Sequence, residues 1–328
     1  MSRTPPELAR LVELVHPGLA RMRDVLRRQV AESSPAVSDM TEHVGRFQGK
    51  QLRGALVLLV GEATGNTTDE HPSVAAIVEL IHMATLVHDD ILDGAKVRRR
   101  VACVNERWDN QVAVLLGDFL YARAFSLSTD LSSRLCSKLL AETTRRLCVG
   151  EIDQSARRYD FELPQSTYEA ICAAKTASLY AAACELGARY PGGNEELGRE
   201  MSAFGHEIGL AFQIVDDCLD VAGDEATVGK SIGTDVEDGK VTLPVLRTYA
   251  VGDERLRAEI RRVYTQPELQ QRARVLREVC DLGPGLEYAH ERARELVESA
   301  RGRLHRLPPS SARDALDGIA AFTLQRNW

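Results

Sequence analysis

Residues 79–93 read Glu-Leu-Ile-His-Met-Ala-Thr-Leu-Val-His-Asp-Asp-Ile-Leu-Asp, an apolar run that ends in three carboxylates. Leu80, Met83, Ala84, Val87 and Ile91 recur at steps of three and four, the period of a helix with one buried face. On that helix Asp89 and Asp93 share a face about 6 Å apart, while Asp90 points roughly 100° around. Like charges that close repel, and left unpaired in a cleft they would hold their protons more tightly. A divalent cation removes the conflict, and an all-oxygen donor set suits magnesium. Taken alone, the pattern is explained as well by a solvated acidic helix end.

Residues 211–220, Ala-Phe-Gln-Ile-Val-Asp-Asp-Cys-Leu-Asp, repeat it. Asp216 and Asp220 again stand four apart, with Asp217 between them. Two such ends, far apart in sequence, are hard to explain as solvated faces. Facing one another across a helical bundle, they would form a six-carboxylate cage for several magnesium ions. Magnesium on carboxylates takes its remaining ligands from phosphate oxygens and water, so the substrate is expected to carry phosphates.

Composition narrows the class. The formal net charge is −7, and the two clusters account for six of the negatives, which argues against a nucleic-acid partner. Hydrophobic residues make up 44%, enough for a large core. None of the seven cysteines forms a CxxC pair and most have apolar neighbours, as expected of reduced thiols in a cytoplasmic protein. The chain opens without a signal peptide, and no apolar run reads as an integral membrane segment. The expectation is one all-α domain over residues 1–328, a bundle of long helices.

In chain order, residues 6–31 read as one amphipathic helix with a basic, solvated face. Lys50 and Arg53 lie three apart beside Gly49 and Gly54, where a backbone can approach an anion. Arg98, Arg99 and Arg100 follow the first acidic cluster, and arginine grips phosphate oxygens with paired hydrogen bonds. Residues 111–127 are apolar on nearly all sides and predict a fully buried helix, with Gly117 permitting a close contact and a buried Asp118 in need of a partner. Ser166 and Glu169 have the spacing of a capping box. Lys175 and Thr176 stand in an alanine-rich interior, where the lysine is expected to reach a polar site. Glycine-hinged loops carry Lys230 and Lys240 and suggest a lid over phosphates. Residues 265–328 read as three amphipathic helices.

Together these motifs resemble the trans-isoprenyl diphosphate synthases, the polyprenyl synthetase family. The likeness runs from Gly49-Lys50 through Gly150-Glu151-Ile152-Asp153-Gln154, Lys175-Thr176 and Ala211-Phe212-Gln213 to Arg326. It implies helices around a central cavity, a homodimer, and condensation of isopentenyl diphosphate with an allylic diphosphate. By the same resemblance Asp89 and Asp93 bridge two of three magnesium ions and Asp216 holds the third, supported by Asp90, Asp217 and Asp220. Arg98, Lys175, Thr176, Gln213, Lys230 and Lys240 would bind the allylic diphosphate, and Lys50, Arg53, His82 and Arg99 the isopentenyl diphosphate. Arg100, Gly54, Asp109 and Lys96 depart from the family's usual residues.

Terpene cyclases carry one aspartate-rich helix end, but their second metal motif is typically an Asn-Ser/Thr-Glu set, which position 216 onward lacks. Non-catalytic partner subunits of the same fold commonly lose one aspartate motif, and this chain keeps both. In this family short-chain synthases place an aromatic residue about one turn before the first cluster. Here Ala84 and Thr85 are small, with Ile81 another turn deeper. The expected product is therefore long, six or more isoprene units, with geranylgeranyl or farnesyl diphosphate as the alternative. So apolar a product would bring a cytoplasmic enzyme to the membrane surface.

Overall fold

A computed structural model describes residues 6–31, 34–46, 49–98, 101–222, 233–266, 268–269 and 271–325. These residues are almost wholly helical, in the order α1 Pro6–Leu11, α2 His16–Val30, α3 Pro35–Gly45, α4 Leu52–Thr64, α5 His71–Leu92, α6 Val104–Arg107, α7 Asn110–Thr129, α8 Leu135–Ala156, α9 Gln165–Cys172, α10 Ser178–Arg189, α11 Glu195–Ala222, α12 Thr234–Glu237, α13 Leu243–Val251, α14 Glu254–Thr265, α15 Arg272–Val279, α16 Gly283–Arg303 and α17 Ser311–Leu324. Among the described residues the strands are one antiparallel pair, β1 Val97–Arg98 with β2 Val101–Ala102. The class is all-α, as the periodicity predicts. Arg99 and Lys230, both proposed phosphate ligands, lie outside the described residues.

The chain forms two compact units, each assembled from separate stretches. One comprises Met1–Thr144, Leu179–His206 and Ala300–Ala320. At its centre α5 packs on α2, α4 and α7. From Val74 to Ile81 every α5 side chain is buried, because helices meet it on more than one side. Gly117 lets α7 approach closely: a Cβ there would lie 2.1 Å from His88 Nε2. The other unit comprises Arg145–Ser178, Glu207–Ser299 and Ala321–Trp328. In it α9 packs on α13, α13 on α14, and α15 on both α12 and α14.

Four expectations are corrected. Residues 6–31 are not one helix; the chain tightens at Glu13–Val15 and restarts at His16, since Pro17 has no N–H to continue the ladder. Helix α7 is not fully buried: Val114 is 43% and Leu115 60% exposed. It is also long and apolar enough to cross a membrane by composition, though its place against α2 and α5 is that of a helix in a packed bundle. Asp118 is not buried either; its side chain is 64% exposed, 3.7 Å from His88 Nε2. Ser166 and Glu169 form no capping box, because Glu169 instead takes Arg292 through both oxygens at 2.9 Å.

Candidate active site

The first aspartate motif closes α5. Asp93 is the residue after the last turn, its N–H bonded to Asp89 O at 2.9 Å, and both side chains are half-buried. Asp90 turns inward. It is fully buried and accepts Arg98 Nε at 2.8 Å and Nη2 at 2.7 Å on Oδ1. Burial works against the Arg98 charge, but Asp90 more than restores it and holds the guanidinium above its ordinary value. The Cys103 thiol beside them is pushed up to about 12 by burial and by the Asp90 charge. Arg98, expected to bind diphosphate, is thus fixed by a carboxylate expected to support metal.

The second motif closes α11 and divides its work in the same way. Asp216 is half-buried and Asp217 is buried. Asp217 accepts Tyr168 OH at 2.5 Å and Gln213 Nε2 at 2.7 Å. Burial pushes the Asp217 carboxyl up to about 7; these two bonds oppose the rise, and Asp216 and Asp220 add to it. Asp220, also buried, accepts Thr234 Oγ1 and the Asp235 N–H, both at 3.1 Å, and so anchors the start of α12.

Lys175 and Thr176 do not sit on an ordinary α-helix. Between α9 and α10 the chain runs through a π-helical segment, Ala173–Ala177. A π turn carries an extra residue and is frequent at functional positions. Gly150 makes room for it, because a Cβ there would lie 2.7 Å from the Lys175 backbone nitrogen. Lys175 Nζ donates to Glu151 Oε1 and Gln154 Oε1, both at 2.9 Å. Thr176 Oγ1 donates to Gln213 Oε1 at 2.8 Å, so Thr176, Gln213, Asp217 and Tyr168 form one hydrogen-bonded chain. Lys240 is buried between Asp235 and Asp238, 3.7 and 3.1 Å from their carboxylates.

Arg53 is different. Its Nη1 donates to His82 Nε2 at 3.0 Å and its Cζ lies 4.3 Å over the Tyr180 ring. A guanidinium has only donors, so His82 receives this bond on a bare nitrogen and carries its proton on Nδ1. Arg53 makes no ion pair with a carboxylate among the described residues, and its buried Nε has no acceptor there. Lys50, half-buried, stands just before α4. Below the first motif Ala84 and Ile81 are buried and Thr85, half-buried, donates to His82 O at 2.8 Å.

Glu151, Gln154 and Tyr168 were missed as site residues. The first two stand in the Gly150–Gln154 motif, which signals them; a lone tyrosine seven residues before Lys175 gives no such signal. Asp109 caps α7 by accepting the Val112 N–H at 2.7 Å.

Carboxylate oxygens are donors of the kind magnesium takes. Among the described residues no group of three or more His, Cys, Asp or Glu side chains stands so as to hold a metal ion by itself. Open carboxylate pairs that leave positions for phosphate and water are what a magnesium–diphosphate site needs.

The polyprenyl synthetase family model matches residues 34–281. The chain belongs to the polyprenyl synthetase family. It is 36% identical over 308 residues to the all-trans-nonaprenyl-diphosphate synthase (geranyl-diphosphate specific) of Rhodobacter capsulatus, covering 94% of each chain. It is 34% identical over 310 residues to heptaprenyl diphosphate synthase component 2 of Geobacillus stearothermophilus, covering 94% of this chain and 96% of that one. Among solved structures it is similar to a polyprenyl synthase of Caulobacter crescentus complexed with calcium and isoprenyl diphosphate. There the TM-score is 0.94 at 33% identity, over 99% of this chain and 100% of the other.

Proposed function

We propose that this polyprenyl synthetase condenses isopentenyl diphosphate head-to-tail with an allylic diphosphate and releases a long all-trans polyprenyl diphosphate of six or more isoprene units. The observation that carries the reading is the shared division of labour in the two motifs. In each, the middle aspartate is buried in protein hydrogen bonds while the first stays half-open at the helix end. Asp89 and Asp93 would hold two magnesium ions and Asp216 a third. When bound, magnesium neutralises the charge that develops on a departing diphosphate.

The chain's own residues supply the rest. Lys175 and Thr176 present donors from the π segment for the allylic diphosphate, and Glu151 and Gln154 keep the ammonium in place until then. Arg98 stays charged and oriented through Asp90. Arg53, without a carboxylate partner among the described residues, meets the isopentenyl diphosphate together with Lys50 and His82. One turn before the aspartates the side chains, Ala84 and Thr85, are small and not aromatic, which favours the long product over a geranylgeranyl or farnesyl one.

A second copy of the chain is the partner we assign to the outward apolar side of α7, where Val114 and Leu115 stand open. The name "component 2" of one relative makes a hetero-partner the alternative to test. The deciding experiment is incubation with isopentenyl diphosphate, magnesium and allylic primers of increasing length, followed by chain-length analysis and sedimentation of the active species. Absence of condensation with every primer, in the protein alone, would refute the reading for a self-sufficient enzyme.

A further inference from the structure

Helix α4 has no cap of its own. Gln51, the residue before it, sits in the left-handed region at φ 51°, and its side chain caps nothing; it accepts Arg23 Nε at 2.7 Å instead. The first four N–H groups of a helix have no partner within it. One of them, that of Gly54, donates to Glu79 Oε1 at 2.8 Å, a carboxylate reaching across from α5. Glu79 is buried. A Cβ on residue 54 would lie 2.5 Å from the Met22 sulfur and 3.2 Å from Glu79 Cγ, so the glycine is what lets the carboxylate close on this turn.

Arg53 belongs to the same turn. A cation in the first turn of a helix faces the positive end of its dipole, and a carboxylate placed there offsets the cost. His82, which receives Arg53, stands three residues after Glu79 and therefore on the same side of α5. One helix thus fixes both the turn that carries the guanidinium and the imidazole that catches it.

We propose that Glu79 is a positioning residue for the isopentenyl diphosphate site, capping α4 from outside and so setting where Arg53 presents its free donors. This rests on reading Arg53 and His82 as the isopentenyl clamp. It also gives Gly54 a use: a proline there would have no N–H for Glu79.

The test is steady-state kinetics of Glu79→Asp and Glu79→Gln in the full-length protein, with KM measured separately for each substrate. Glu79→Asp keeps the charge but draws the acceptor back by about 1.5 Å; Glu79→Gln loses the charge but keeps an acceptor in place. The expected result is a rise of about tenfold in KM for isopentenyl diphosphate in Glu79→Asp. In that variant KM for the allylic substrate stays within about twofold, and Glu79→Gln stays within about threefold of wild type for both substrates. Equal rises in both constants, no rise in Glu79→Asp, or a larger loss in Glu79→Gln would overturn the proposal. Should Glu79→Asp not fold, Gly54→Ala combined with Met22→Ala decides. It crowds the turn off Glu79 without touching the carboxylate, and the same selective rise supports the proposal while its absence refutes it. A wild-type protein with no condensation activity would refute the functional reading instead, whereas an active wild type with no selective rise refutes only this inference.

Discussion

Asp90 and Arg98 form a buried ion pair, 2.7 Å between Oδ1 and Nη2, beside an aspartate that is left half-open. Neighbouring carboxylates of one motif therefore have separable roles. Asp90→Ala strands a guanidinium that has lost its counter-charge, and breaking a buried pair costs about 3–5 kcal/mol. Arg98 keeps some solvent access, so the lower end of that range is expected. Denaturant titration checks it: Asp90→Ala shifts the midpoint markedly, and by more than Asp89→Ala does.

Turnover should show the reverse emphasis. Asp89→Ala and Asp216→Ala each remove a carboxylate proposed above as a magnesium ligand, and kcat should fall by about a thousandfold or more in either. Near-normal turnover in a folded variant would remove that residue from the metal site.

The two cation groups should separate kinetically. Arg53→Ala is expected to raise KM for isopentenyl diphosphate, because it deletes a guanidinium that makes no ion pair among the described residues. Lys175→Ala lowers the rate of allylic ionisation and leaves that KM less affected. Each loses a charge-assisted bond of about 1.5–3 kcal/mol, a factor of roughly 10 to 150. Identical kinetic patterns in the two variants would show that they serve one subsite.

Asp217 makes the metal-free protein pH-sensitive. Its folded value, about 7, lies above the ordinary 3.8, so folding favours its protonated form. The buried carboxylate therefore begins to cost stability as pH rises past 3.8, and the whole penalty is present above 7. Its upper bound is roughly 4 kcal/mol. With a chelator present, Asp217→Asn should unfold at the same denaturant concentration as wild type near pH 4 and at a higher one at pH 8. Parallel pH profiles would mean that Asp217 is charged at no cost.

Ala84 is fully buried one turn before Asp89. A phenylalanine there must displace its neighbours, at about 1–3 kcal/mol, and fills the path of a growing tail. Ala84→Phe is expected to shorten the product to about fifteen or twenty carbons. An active variant with unchanged products would route the tail elsewhere.

Much of this was legible in the sequence. Apolar periodicity locates α5 and α11 to within a few residues, and a 100° step per residue already turns Asp90 away from Asp89 and Asp93. What Asp90 turns towards was not legible, because Arg98 reaches it by way of a β-hairpin that no period announces. Exposure of α7 was misjudged for a related reason. Periodicity tells apolar from polar faces, but not whether a neighbour within the same chain covers them. Ser166 and Glu169 have capping-box spacing, yet Arg292, 123 residues from Glu169, bonds that carboxylate through both oxygens.

The π segment at Ala173–Ala177 has a consequence for how this chain can change over time. One residue removed there would relax the segment to an ordinary α-helix and leave the helices on either side close to their present register, while the side chains inside it would shift. Tyr168 stands on one side of the segment and Ser178 onward on the other, with Lys175 and Thr176 inside it. A single deletion would therefore spare the bond of Tyr168 to Asp217 and break those of Thr176 to Gln213 and of Lys175 to Glu151 and Gln154. The length of this stretch, as much as its residues, places those two side chains.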